Sequence, residues 1–302
     1  MATTSAKLTP QTPQTPQSTW QTLTILFKWR VVSLLLGGSV GGAFLAAGGW
    51  PGWKPLLLVL VTGFLAASGS GAINQFLEKD IDTKMNRTKL RPLAKDQLSW
   101  AKWVPWLGAA MIILPSVAVA TFNLPLAFFL LLGAFIYVVI YTIWLKPRTV
   151  LNIVIGGAAG SAAVLSGSAA VGHWAEPGAV VLALLVFLWT PAHFWSLAML
   201  YRADYQRGEF PMLPAQISLS DSAWWVGLHT VATGFGAILL GVHPALGALY
   251  TVPVVVLTAD LAWQNIRLIR HPNQAAAARR FFVRSNLYLT AVVVLVCVAT
   301  LF

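Results

Sequence analysis

Asn74, Glu78 and Asp82 stand four residues apart at the end of an apolar run, Leu56 to Leu77. On a helix that continues through them, positions i, i+4 and i+8 share one face. An amide and two carboxylates so arranged are hard oxygen ligands. They suit Mg²⁺, which keeps several waters and takes one or two carboxylates together with substrate phosphates. The plain alternative is a solvated helix end whose acids pair with Lys79 and Lys84, although ionisable groups at the edge of a membrane span usually mark function. Asp80 is turned about 200° from Glu78 on a helix and is expected to face away. Lys84, Arg87, Lys89 and Arg91 follow directly and could hold phosphate oxygens.

Three further groups carry chemistry. The segment Thr190-Pro-Ala-His193-Phe-Trp195 places a histidine inside an apolar run, either hydrogen-bonded to a backbone carbonyl or serving a ligand or substrate. Asp204 and Arg207 follow where that run ends and could add a second carboxylate for metal and a cation for phosphate, or form a simple surface pair. Tyr141, Lys146 and Arg148 end another apolar run, where the two bases are either topology signals or phosphate contacts. Pro191 should kink its helix. The small residues of 155–161 lack a preceding strand and suit close helix packing better than a nucleotide loop.

The elements that must position these residues are transmembrane helices. Of the 302 residues 57% are hydrophobic and 10% charged, too few charges to cover a soluble globule. Apolar runs of about 20 residues, the length that crosses a bilayer, occur at 31–49, 55–78, 103–121, 124–145, 150–172, 178–201, 223–241, 244–266 and 285–302. With the N-terminus inside, nine spans put every lysine and arginine except Lys54 on one side. The net charge of +11 is thus a topology signal and implies no nucleic-acid partner. Residues 1–24 read as a disordered tail without signal-peptide character, ahead of one membrane domain over 25–302. Arg267 to Arg284 reads as a loop with a short surface helix, and the single Cys297 excludes a disulfide framework. About 120 residues separate the acidic ends of the second and sixth runs, a weak hint of an internal repeat bringing two acidic sites to one cavity.

Residue chemistry alone therefore describes a membrane enzyme with a Mg²⁺ and polyphosphate site opening into an apolar cavity. An isoprenyl diphosphate fits, its leaving group neutralised and its allylic cation shielded from water.

The spacing Asn74-x-x-x-Glu78-x-x-x-Asp82 resembles the first acidic motif of the UbiA superfamily of intramembrane prenyltransferases. The motifs at 74–93, 141–157, 190–198 and 204–214, with Ala278 to Ser285, are similar to the haem-farnesylating branch of that superfamily. The resemblance implies a nine-helix bundle that transfers farnesyl from farnesyl diphosphate to the 2-vinyl group of haem B. It implies Mg²⁺ held by Asn74, Glu78, Asp82 and Asp204, with Glu78, Asp82 and Asp204 catalytic. It implies diphosphate bound by Arg87, Arg91, Lys146, Arg148 and Arg207, and haem met by His193, Trp195 and Tyr141. A bacterial inner membrane with cytoplasmic active-site loops, and a downstream haem A synthase as partner, belong to the same expectation. Three departures stand out: Lys28-Trp-Arg30 replaces Lys-Pro-Arg, 163–168 lacks Pro-Pro-Leu-x-Gly-Trp, and Tyr201 and Tyr205 flank Asp204 where two aspartates are usual. The last leaves open a second Mg²⁺, and the change at 163–168 could reshape the outer acceptor pocket. Alternatives are a relative acting on another aromatic or chlorin acceptor, and a transporter or haem-binding membrane protein.

Overall fold

The computed structural model describes residues 18–302. In chain order the helices are α1 (Thr19–Leu26), α2 (Trp29–Ala47), α3 (Trp53–Asp82), α4 (Val104–Ala120), α5 (Leu124–Phe135), α6 (Asn152–Gly156), α7 (Ala158–Val171), α8 (Pro177–Leu200), α9 (Arg202–Arg207), α10 (Leu213–Gln216), α11 (Leu219–Leu240), α12 (Gly247–Arg270) and α13 (Ala275–Ala299). A 3₁₀ turn leads into α4, and α5 continues as a π-helix over Ile136–Leu145. Among the described residues nine helical segments are long and apolar enough to cross a membrane, as the apolar runs require.

Two expectations need correction. Residues 1–17 of the expected tail lie outside the described part, but α1 begins within it: Ser18 and Gln21 form a capping box, each side chain accepting the other's backbone N–H at 3.2 and 3.1 Å. The polar composition of the segment hides that signal. Likewise 267–284 is not a loop with a surface helix. It is the end of α12, a break at 271–274 and the start of α13. Proline at 272 disfavours helix at His271, and the alanines at 275–278, the best helix formers, start α13 ten residues ahead of its apolar run.

Neighbouring spans pack in sequence, and α13 closes the bundle by packing on both α8 and α2. Outward faces stay apolar and exposed, as with Leu114 (68%), Val231 (71%) and Phe235 (69%), the surface a lipid solvent demands. Inside, small residues let backbones touch. A Cβ on Gly167 would lie 1.7 Å from the Ser39 carbonyl oxygen and one on Gly42 2.2 Å from that of Val164. Ser39 Oγ donates to the Ala163 carbonyl at 2.7 Å. The atypical segment 163–168 therefore serves the α2–α7 contact. Gly167→Ala should force these backbones apart and cost about 1–3 kcal/mol. A thermal scan of the purified protein should show it, with Gly37→Ala, where an added Cβ meets nothing within 4 Å, as the neutral control. The Gly-rich run behaves as expected too: a Cβ on Gly157 would sit 3.3 Å from the Phe187 carbonyl oxygen, the group that Pro191 leaves without a helical donor.

Candidate functional site

Because α3 stays helical to Asp82, its acidic face is carried inward. Asn74, Glu78 and Asp82 are 2%, 5% and 2% exposed, while Asp80 lies exposed on the other side. Buried carboxylates require counter-charges, and here they come from outside α3. Lys146, from the end of the π-helical segment, pairs with Glu78. Arg91, from the 83–100 turns, meets Asp82 at 2.7 Å. The local partners Lys79 and Lys84 are not used; Lys79 lies over the Phe76 ring instead.

Asn74 is fixed at both ends of its amide. Its Oδ1 accepts from Lys28 Nζ, and its Nδ2 donates to Thr142 Oγ1 at 3.0 Å. Lys28 Nζ also donates to the Tyr137 hydroxyl at 2.9 Å. Lys28 occupies the left-handed region at φ 51°, a strained placement for a non-glycine residue of the kind found at functional sites. Burial, reinforced by the charge of Arg91, pushes its ammonium down to about 7. The π-helix, a form that clusters at functional sites, supplies Tyr137, Tyr141, Thr142 and, just past its end, Lys146. Tyr137 and Tyr141 stack at 5.6 Å, and Lys146 Nζ lies 5.5 Å from the Tyr141 ring and 4.4 Å from that of Phe210.

The second acidic segment is stitched to the first. Asp204, 5% exposed, pairs with Arg207 and accepts the Arg87 backbone N–H at 2.9 Å. The Arg87 guanidinium lies over the rings of Tyr201 and Tyr205, 5.9 and 5.8 Å from their centres. The two tyrosines that flank Asp204 thus hold an arginine between the two acidic segments.

Not every expected residue joins this cluster. Arg148 is exposed and its guanidinium donates back to the carbonyls of Ile143 and Trp144, at 2.9 and 2.8 Å; it caps its own helix, where free carbonyls attract a cation. His193 lies in the interior, stacked between Trp189 at 4.3 Å and Phe282 at 4.4 Å. Its Nδ1 is 2.7 Å from Ser285 Oγ, not bonded to a backbone carbonyl. Trp195 stands edge-on to His229, two positions and so about 200° from His193 on α8, and does not share its face. Lys28, Tyr137, Thr142, Tyr205 and Phe210 complete the cluster although none was expected as a site residue; the hints were the basic segment at 28–30 and the tyrosines that flank Asp204.

Among the described residues no three His, Cys, Asp or Glu side chains gather as a closed metal cage. The donors present still fit Mg²⁺, because two carboxylates and an amide oxygen on one helix face are a partial hard-oxygen shell. Substrate phosphates and water complete such shells.

An all-helical membrane bundle with paired acids and bases at one end matches a known class. Residues 34–289 match the UbiA prenyltransferase family, and the chain belongs to that family. It is 37% identical over 277 residues to protoheme IX farnesyltransferase 2 of Paramagnetospirillum magneticum, covering 90% of this chain and 96% of that one. Among solved structures, digeranylgeranylglyceryl phosphate synthase shares the fold with a TM-score of 0.76 at 16% identity, covering 93% of this chain and 98% of that one. A UbiA homologue from Archaeoglobus fulgidus bound to DMAPP and Mg²⁺ follows at 0.63 and 13%, covering 92% and 99%.

Proposed function

We propose that this prenyltransferase moves the farnesyl group of farnesyl diphosphate onto the 2-vinyl group of haem B (protohaem IX), giving haem O and diphosphate. The observation that carries the reading is the buried line Asn74, Glu78 and Asp82, met by cations from three separate segments, in a chain 37% identical to a protoheme IX farnesyltransferase over nine-tenths of its length.

Asn74, Glu78 and Asp82, with Asp204 from the second segment, would hold Mg²⁺, which supplies neutralisation of the departing diphosphate. The other charges have work of their own. Arg87, Arg91, Lys146 and Arg207, with Lys28, offer N–H donors to phosphate oxygens; Arg148, turned to its own carbonyls, does not. The carbon–oxygen bond to diphosphate breaks, the allylic carbon bonds to the vinyl group, and water adds to the resulting cation with loss of a proton. The faces of Tyr137, Tyr141 and Phe210 beside Lys146 are suited to shield the allylic cation. Tyr141 is the acceptor contact nearest the acids. His193, with Nδ1 engaged by Ser285, keeps Nε2 for haem, and Trp195 supports α8 from its far side. The end bearing the basic loops is taken as the cytoplasmic face of a bacterial inner membrane, and a haem A synthase as the consumer of the product.

The test is to incubate the purified protein with haem B, farnesyl diphosphate and Mg²⁺ and follow haem by mass. The haem should gain one farnesyl group and one hydroxyl group. Chelation with EDTA should stop the gain and fresh Mg²⁺ restore it. Haem left unchanged beside an active reference synthase would sink the assignment, and farnesylation of another aromatic acceptor instead would reassign it.

A further inference from the structure

The arginines at the foot of α12 and α13 take no part in the site above. Arg267 and Arg270 end α12, and Arg279, Arg280 and Arg284 lie in the first turns of α13. Two adjoining grooves run among them. One, of about 590 Å³, is walled by Leu200, Arg279, Arg280 and Arg284; the other, of about 400 Å³, by Trp263, Arg267, Arg270, His271 and Arg280. None of the residues lining them belongs to the acidic face.

Only one of these five arginines has an acidic partner among the described residues. Asp260 reaches Arg284 at 3.6 Å, and Arg267 lies 5.8 Å from the centre of the Trp263 ring. Arg270, Arg279 and Arg280 have no ion-pair partner among the described residues. The other four, Arg267, Arg270, Arg279 and Arg280, gather like charge around two adjoining grooves, and an anion between them relieves that repulsion. The first turn of α13 adds no acid of its own.

The surroundings say what kind of anion. Beside the grooves the outward residues are apolar: Trp263, Ile266, Val283 and Leu287 are 49%, 41%, 46% and 57% exposed. A ligand with an anionic head and hydrocarbon chains matches both halves. Basic pockets between helix ends recognise such lipids, and a tryptophan at that level suits the headgroup boundary.

We propose that the paired grooves between α12 and α13 bind the phosphate headgroup of an acidic phospholipid, with its chains laid along Trp263, Ile266, Val283 and Leu287. The site is independent of the acceptor used in catalysis.

The full chain in a neutral detergent should be titrated with short-chain phosphatidylglycerol while thermal unfolding is followed. A saturable rise in Tm is expected, with none from phosphatidylcholine of equal chain length or from inorganic phosphate. Arg270→Gln combined with Arg280→Gln should weaken the response roughly 30-fold, the effect of two basic residues near a lipid surface. Arg30→Gln, an exposed base at the same end, should leave it unchanged. Should the double variant not fold, native mass spectrometry of the two single variants should show less retained phosphatidylglycerol than the parent. An equal rise with phosphatidylcholine, an equal rise with inorganic phosphate, displacement of the lipid by haem, or retention undiminished in the variants would each overturn the proposal.

Discussion

Asp82→Asn should lower product formation by about 10³-fold, the scale on which loss of one preorganised electrostatic group is felt in catalysis. The side chain is 2% exposed, its Oδ2 accepts from Arg91 at 2.7 Å, and its carbonyl accepts from Thr88 Oγ1 at 3.2 Å. Asparagine keeps the shape and one acceptor oxygen, so the end of α3 and the turns after it should hold. What disappears is a negative charge on the line formed with Glu78. Arg91, 19% exposed at its side chain, retains some solvent and tolerates the loss. The variant should therefore insert and unfold like the parent while its turnover collapses. Asp80→Asn, two residues away but exposed, should turn over normally. Substantial turnover in the first variant would place the metal elsewhere; equal losses in both would point to a general effect at the helix end.

Much of this arrangement is readable in the sequence because it rests on local periodicity. Four-residue spacing on a continuous helix is enough to put Asn74, Glu78 and Asp82 on one face and Asp80 on another, and apolar length is enough to find the spans. Partner choice is not local. Glu78 has Lys79 beside it and uses Lys146, 68 positions away. Lys146 and Arg148 look equivalent as bases at a helix end, yet the π-helix before them sends one to the acids and leaves the other over its own carbonyls. The same holds for His193, whose type announces a role while its stacking against Phe282 and its contact with Ser285 depend on how α13 crosses α8. Lys28 is hidden for another reason: a base before a span reads as a topology signal, and only a left-handed backbone turns it onto Asn74.

Lys146→Met is expected to destabilise the protein by about 3 kcal/mol, because it leaves the Glu78 carboxylate buried without its main partner. The two side chains are 11% and 7% exposed, so water cannot take over. Adding Glu78→Gln to Lys146→Met removes the stranded charge and should recover most of the lost stability, as apolar or neutral replacements of buried pairs commonly do. Activity should not recover with it. If the pair were only a structural clamp, repairing stability would restore turnover; if the pair holds diphosphate and its metal, the double variant is a well-folded protein that cannot neutralise its leaving group. Thermal unfolding and single-turnover product formation, measured on both single variants and the double, separate the two quantities. A double variant that regains both stability and turnover would make Glu78 and Lys146 part of the scaffold and leave Asp82 and Asp204 to carry the acidic chemistry.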